Sequence, residues 1–303
     1  MTDFPASPID ARTMPQLIRA AAATFGEETA LTLTGETIPD DSISFRGLDE
    51  QSARVARALL ARGIGKGSRV GFILGNSPTF ALMLAAITRI GAIAVPISTL
   101  IKANELVRVL RQSDVSGLIV QRSLLGHDLV DRLLDALPEL RNATGPGIRN
   151  PAAPYLRWIA SWGDDLPPAV IAVDRLGEGL APVSDDLLRA IEVEVHPTDQ
   201  MVEIYTSGSM ALPKGVKHLH GPVVWRAGWL AGMLGVRRGG ESTAVLPMFW
   251  VGGMGMTLLP NWITGACTHC TEGTSTSSRM AMGTVMAEED LALMAKAKPW
   301  WAL

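Results

Sequence analysis

The chain has 303 residues, is 47% hydrophobic and has a formal net charge of −3, from 27 Lys and Arg against 30 Asp and Glu. This length allows about two domains with sizeable cores, and the mixed charges argue against nucleic-acid binding. The N-terminus lacks a basic region and an apolar run, and polar residues or proline interrupt the longest apolar stretch, residues 80–97. The sequence therefore predicts a cytoplasmic protein without a signal peptide or a transmembrane segment.

Hydrophobic periodicity and turn residues predict alternating helices and strands along the chain. The predicted helices span residues 14–25, 48–62, 77–90, 102–113, 128–137, 221–236 and 251–263. The predicted strands span residues 30–33, 43–45, 69–74, 92–97, 117–120, 155–160, 191–195, 201–204, 243–246 and 266–271. Strands that alternate with helices at this spacing predict an α/β fold, a layered α/β sandwich of mostly parallel sheets with flanking helices.

Two cysteines, Cys267 and Cys270, flank His269 and invite a metal or redox interpretation. A structural zinc site needs four ligands, usually with a second cluster elsewhere in the chain. The other candidate ligands are His218 and His220, far from the cysteines in sequence. We therefore expect reduced thiols on a strand and no metal site.

The stretch from Tyr205 to Gly215 combines hydroxyls, a glycine and a lysine directly after the strand predicted at residues 201–204. Backbone N–H groups in a tight turn form a concave nest for anions. Hydroxyls can add donors to it, here those of Thr206, Ser207 and Ser209. Lys214 adds a positive charge, whose hydrogen bond to an anion is worth roughly 1.5–3 kcal/mol. The stretch is not a Walker A loop, because no Ser or Thr follows Lys214-Gly215; an ordinary Ser/Gly loop with a surface lysine is the alternative.

The order of these residues resembles the phosphate-binding loop of the adenylate-forming superfamily, the AMP-forming acyl-CoA synthetases and their relatives. That pattern is Tyr-Thr-Ser-Gly-(Ser/Thr)-Thr-Gly-x-Pro-Lys-Gly. The matching positions are Tyr205, Thr206, Ser207, Gly208, Ser209, Pro213, Lys214 and Gly215. The chain departs from it at Met210, where a threonine is usual, and at Ala211, where a glycine is usual. The resemblance extends over about residues 14–271 and includes the landmark Asn76-Ser77-Pro78.

The resemblance implies a reaction in two steps. A carboxylate attacks the α-phosphate of ATP to give an acyl-adenylate and pyrophosphate, and a thiol, usually coenzyme A, then displaces AMP. ATP, Mg²⁺ and coenzyme A are thus the implied cofactors, and charge on the phosphate oxygens must be stabilised. Lys214 is the implied catalytic residue, and the implied phosphate-binding residues are Thr206, Ser207, Gly208, Ser209, Lys214 and Gly215.

A second informative stretch follows the strand predicted at residues 243–246 and resembles the family's Pro-x-Phe-His-x-x-Gly motif, which borders the carboxylate substrate. The candidate acyl-pocket residues are Phe249, Trp250, Gly252 and Gly253; composition alone also allows a strand end that packs in the core. Members that activate amino acids place an aspartate near here, and this chain has none between residues 241 and 272. An unpaired ammonium would be costly there, so we expect a carboxylic acid without an α-amino group, fatty or aryl.

Other parts of the family pattern are not found in the chain: the Gly-x-Thr-Glu segment for adenine and magnesium, a later ribose-binding aspartate and the lysine of a small C-terminal domain. We therefore expect an incomplete large N-terminal domain of an AMP-forming ligase. Residues 1–195 would form a first α/β subdomain, and residues 196–303 the phosphate-loop segment and the start of a truncated second one. Two interpretations stay open: a truncated acyl-CoA ligase, or a non-catalytic remnant or binding module of the same fold.

Overall fold

The computed structural model describes residues 5, 7–35, 38–206 and 214–272. Its strands are β1 (Thr29–Thr34), β2 (Asp41–Ser44), β3 (Arg69–Ile73), β4 (Ile93–Pro96), β5 (Gly117–Val120), β6 (Ser123–Leu124), β7 (His127–Asp128), β8 (Trp158–Ser161), β9 (Val170–Ala172), β10 (Gln200–Thr206), β11 (Lys214–Leu219), β12 (Glu241–Thr243) and β13 (Cys267–Thr271). Its α-helices are α1 (Met14–Phe25), α2 (Phe45–Ala61), α3 (Pro78–Thr88), α4 (Ala103–Gln112), α5 (Leu129–Ala136), α6 (Asp185–Val193), α7 (His220–Leu234) and α8 (Leu259–Thr264), and a π-helical segment, Gly253–Leu258, leads directly into α8.

Two sheets organise most of these elements, and β6 and β7 pair with each other as a separate two-stranded sheet. The larger has the order β11-β10-β4-β3-β5-β8-β9, in which every neighbouring pair is parallel except the edge pair β10–β11. The smaller has the order β12-β13-β1-β2 and is parallel except for β1–β2. This arrangement confirms the predicted α/β class with mostly parallel sheets and flanking helices. The division into residues 1–195 and 196–303 stays a prediction, although both sheets draw strands from each segment.

The central strands of the larger sheet are apolar because both of their faces are covered. All four residues of β4 and all four residues of β5 are buried, as expected for parallel strands between two layers of helices. Helix α3 contacts β4 on one side and β1 and β2 on the other, so it lies between the two sheets. The largest hydrophobic cluster spans this interface, and a second one lies where α4 and α5 cover the larger sheet.

The strand predicted at residues 191–195 is wrong, because α6 continues to Val193 and no strand follows it there. The Ser184 side chain caps that helix by accepting a hydrogen bond from the Leu187 N–H. Glu192 is buried, and its carboxylate accepts hydrogen bonds from Arg89 Nε at 2.5 Å and from Arg19 Nε at 2.6 Å. The alternation of apolar and polar residues at 191–195 predicted a strand with one face in water. Glu192, one of the polar residues, is instead buried in ion pairs.

Strand β11 has no counterpart among the predicted strands. Its six residues lie at the edge of the larger sheet and are exposed or half-buried, so they lack the apolar alternation that marks a strand in sequence. The residues pair along their whole length with β10, from Thr206 opposite Lys214 to Gln200 opposite Leu219. The candidate phosphate loop therefore connects the two strands of a hairpin.

Candidate functional site

The β10–β11 hairpin brings the two described ends of the candidate loop together. Thr206 pairs with Lys214 and Tyr205 with Gly215. The Thr206 hydroxyl lies 3.5 Å from the Lys214 carbonyl oxygen, to which it donates, and both residues are exposed. The remaining predicted contacts, Ser207, Gly208 and Ser209, lie outside the described residues, as do the two departures from the pattern, Met210 and Ala211.

The loop leaves the larger sheet at the carboxyl end of β10. Because β10 runs parallel to its neighbour β4, and β4 parallel to β3, this is also the edge where those strands end. In open α/β sheets, ligands bind in the crevice outside the carboxyl ends of the strands. The topology thus places Thr206 and Lys214 where this class of fold binds its ligands.

Tyr205, the residue before the loop, is anchored below it. Its hydroxyl lies 2.7 Å from Ser113 Oγ at the end of α4, and its ring packs against the second hydrophobic cluster. Burial is the largest of the effects that raise the pKa of the Tyr205 phenol, so the hydroxyl keeps its proton near neutral pH and remains a donor. The stem of the loop is therefore attached to the body of the sheet.

The candidate acyl-pocket residues lie at the start of the helix that contains the π-helical segment. Phe249 is 2% exposed and belongs to the largest hydrophobic cluster, whereas Trp250 is half-buried against that cluster. Their ring centroids lie 5.5 Å apart at an interplanar angle of 78°, an edge-to-face arrangement that aromatic pairs prefer. Of the two rings, Trp250 is the one with surface free to contact a ligand.

Gly253 allows a close backbone approach in this segment. A Cβ on Gly253 would overlap the carbonyl of Pro247, so only glycine fits where the backbone folds back on itself. A Cβ on Gly252 would lie 2.8 Å from a methyl carbon of Leu246, the end of a side chain that can move. π-Helical segments such as Gly253–Leu258 are frequent at functional sites.

Asn76, part of the landmark Asn76-Ser77-Pro78, connects this segment to the larger sheet. It lies three residues beyond the end of β3 and is 3% exposed. Its Nδ2 donates to the carbonyl oxygens of Ala244 and Leu246, both at 3.0 Å, and its Oδ1 accepts from the Met248 N–H at 2.7 Å. An asparagine shortly after a predicted strand was the available signal in the sequence, but its partners lie about 170 residues away.

Asn76 also fixes how the two candidate segments are arranged. β3 and β10 lie on either side of β4, so their carboxyl ends are roughly 10 Å apart, twice the ordinary strand spacing. The segment that leads to Phe249 and Trp250 is thus tied to the same sheet edge from which the candidate phosphate loop extends. Both candidate segments are therefore attached to one edge of the larger sheet.

The cysteines and histidines do not assemble into one cluster. Cys267 and Cys270 are free thiols on β13 of the smaller sheet, and burial raises the pKa of Cys267 to about 12. His269 between them lies 2.7 Å from the hydroxyl of Thr32. His220 begins α7 directly after the edge strand β11, and its Nδ1 accepts a hydrogen bond from the Met14 N–H. Within the described part of the chain, no group of three or more His, Cys, Asp or Glu side chains could hold a metal ion.

None of the helices that the structure describes is both long and apolar enough to cross a bilayer.

Comparisons with known proteins identify the family of the chain. Residues 18–299 match the sequence model of the AMP-binding enzyme family. The 3-hydroxybenzoate–CoA/4-hydroxybenzoate–CoA ligase of Thauera aromatica is 27% identical over 249 residues, which are 82% of this chain and 42% of the relative. The long-chain-fatty-acid–CoA ligase FadD13 of Mycobacterium tuberculosis is 29% identical over 216 residues, which are 71% of this chain and 37% of the relative.

Solved structures show the same fold. The inhibitor-bound N-terminal domain of FACL13 from Mycobacterium tuberculosis superimposes with a TM-score of 0.67 at 22% identity, over 89% of this chain and 59% of that one. The chain spans less than half the length of the two curated relatives named above. The family match covers nearly all of this chain, and the chain belongs to the AMP-binding enzyme family.

Proposed function

We propose that this chain binds the phosphates of ATP at the β10–β11 hairpin and takes part in the activation of a carboxylic acid, first as an acyl-adenylate and then as its coenzyme A thioester. The observation that carries the proposal is the pairing of Thr206 with Lys214 at the exposed end of the hairpin, on the sheet edge that binds ligands in this class of fold. Membership of the family and its acyl-CoA ligase members support acid activation as the reaction type.

In this proposal the ammonium of Lys214 neutralises charge on the phosphate oxygens as pyrophosphate leaves, and the Thr206 hydroxyl donates to the same group. Three other predicted contacts, Ser207, Gly208 and Ser209, would line the cradle between them, and Gly215 would support it from the position after Lys214. Positioned charges of this kind stabilise the transition state without rearranging during the reaction. Mg²⁺ stays a prediction from the resemblance, because the described residues form no metal-binding cluster.

The proposed acid lacks an α-amino group and is fatty or aryl. Trp250 offers a partly exposed aromatic surface next to the tight turn at Gly252 and Gly253. No aspartate between residues 241 and 272 is present to pair with a substrate ammonium, and relatives named above act on hydroxybenzoates and long-chain fatty acids. Isotope exchange between pyrophosphate and ATP tests this proposal: we expect faster exchange with benzoate or a fatty acid than with any amino acid, and the reverse order would contradict it.

Calorimetric titration with ATP tests the nucleotide site itself. Lys214→Ala should weaken binding roughly 10-fold or more, the effect of losing a hydrogen bond to a charged group. Lys217→Ala is a matched control, because Lys217 is also exposed on β11 but three residues away, so its side chain leaves the opposite face of the strand. Equal losses in both variants would indicate nonspecific charge attraction. Absence of saturable binding by the unmodified chain would favour the alternative, a non-catalytic remnant of the fold.

A further inference from the structure

A buried carboxylate lies directly beneath the candidate phosphate loop. Glu203 of β10 is only 4% exposed. Its Oε1 accepts a hydrogen bond from Ser113 Oγ at 3.0 Å and lies 3.5 Å from the Tyr205 hydroxyl, while its Oε2 is 3.9 Å from Arg69 Nε on β3. Three elements of the larger sheet layer, α4, β3 and β10, thus meet at one side chain.

The chemistry of a carboxylate orders the hydroxyls around it. An ionised carboxylate only accepts hydrogen bonds, so Ser113 donates its proton to Glu203. The Ser113 oxygen is then the acceptor for Tyr205, whose hydroxyl lies 2.7 Å away. A directed chain of hydrogen bonds therefore runs from Tyr205 through Ser113 to the carboxylate of Glu203. This chain sets the orientation of the Tyr205 ring.

The same carboxylate contacts the other strand of the hairpin. A Cβ placed on Gly215 would overlap the Oε1 atom of Glu203. Gly215 is the residue paired with Tyr205, so the two residues that Glu203 touches are opposite each other, one step below Thr206 and Lys214. Glu203 therefore contacts both strands of the hairpin immediately below the loop.

Stability alone does not explain this carboxylate. Among the described residues, Glu203 Oε2 and Arg69 Nε have no hydrogen-bond partner, and the 3.9 Å between them is too long for one. Buried ion pairs are often no more stabilising than apolar side chains of the same volume. An imperfectly paired buried charge is the kind of local cost that proteins carry at functional sites.

We propose that Glu203 is a positioning residue for the nucleotide loop: it holds Tyr205 and Gly215 at the spacing that presents Thr206 and Lys214 to the phosphates. This inference rests on the proposed function. It differs from a direct role in anion binding, since a carboxylate repels an anion. Removal of the carboxylate in Glu203→Ala therefore separates the two roles. Loss of electrostatic repulsion predicts tighter binding of an anion, whereas loss of positioning predicts weaker binding.

The test is calorimetric titration of the 303-residue chain with inorganic pyrophosphate and with ATP, in which the fitted stoichiometry reports the folded fraction separately from the affinity. Glu203→Ala removes the acceptor for the donor chain and should weaken pyrophosphate binding about fivefold or more, the effect of losing one or two hydrogen bonds. Glu203→Gln keeps an acceptor oxygen at similar volume and should stay within about twofold of the unmodified chain. An exposed carboxylate, Glu50, provides the control variant Glu50→Ala, which should bind unchanged.

Should Glu203→Ala fail to fold, Tyr205→Phe decides the question, because it removes only the first hydroxyl of the chain and should weaken binding about threefold. Tighter or unchanged binding in Glu203→Ala and Tyr205→Phe would overturn the inference and leave the proposed function standing. If the unmodified chain does not bind pyrophosphate or ATP at all, both are overturned. If Glu203→Ala binds pyrophosphate more weakly at normal stoichiometry and Glu203→Gln binds it normally, the result supports positioning over a general loss of structure.

Discussion

The three hydrogen bonds of Asn76 should hold the segment that leads to Phe249 and Trp250, and Asn76→Ala removes all of them. The substitution leaves the carbonyl oxygens of Ala244 and Leu246 and the N–H of Met248 without this partner. A buried polar group that loses its partner costs about 1–3 kcal/mol. Allowing for relaxation and water entry, we expect a loss of about 3 kcal/mol in the free energy of unfolding, or roughly 100-fold in the folding equilibrium.

Urea unfolding followed by tryptophan fluorescence measures this loss. Asn76→Asp separates hydrogen bonding from packing, because aspartate has the same size but replaces the donor that faces two carbonyl oxygens with another acceptor. It should destabilise the chain at least as much as alanine, whereas a pure volume effect predicts almost no change. Asn142→Ala, an exposed asparagine, should stay within about 0.5 kcal/mol of the unmodified chain. If Asn76→Ala behaved like that control, these hydrogen bonds would not be what holds the segment.

Three further perturbations address the core and the edge of the sheet. Arg89→Met removes a fully buried guanidinium from Glu192 and should lower the free energy of unfolding in urea by roughly 3 kcal/mol; a loss under 1 kcal/mol would contradict a paired charge. Gly117→Ala adds a methyl group that overlaps the Trp158 ring and should lower Tm, with a cost of about 1–3 kcal/mol, so an unchanged Tm would be evidence against this contact. Burial lowers the pKa of His220 to about 4, below its unfolded value of about 6.5. Its neutral form therefore contributes stability above about pH 6.5 that is lost as the pH falls toward 4, by up to about 3 kcal/mol. The difference in stability between the unmodified chain and His220→Asn should accordingly shrink over that range, and parallel pH curves would refute the assignment.

Local patterns were sufficient for most of the fold. Helix α1 begins and ends at the predicted residues, and β5 coincides with the predicted strand at residues 117–120. Apolar runs between turn residues predict the central strands correctly because both faces of these strands are buried, so nearly every residue in them is apolar. The order of residues from Tyr205 to Gly215 likewise indicates the family from the sequence alone.

Tertiary structure decided which polar residues are buried and what they contact. Glu192 and Glu203 look like solvent-facing residues in sequence, yet each lies inside the protein against a partner about 100 or 90 residues away. Asn76 holds a backbone segment about 170 residues further along the chain, and β11 is a strand only because β10 lies beside it. Periodicity reports the average polarity of a face, whereas the partner of a single buried charge or amide depends on how distant segments pack, which no local pattern contains.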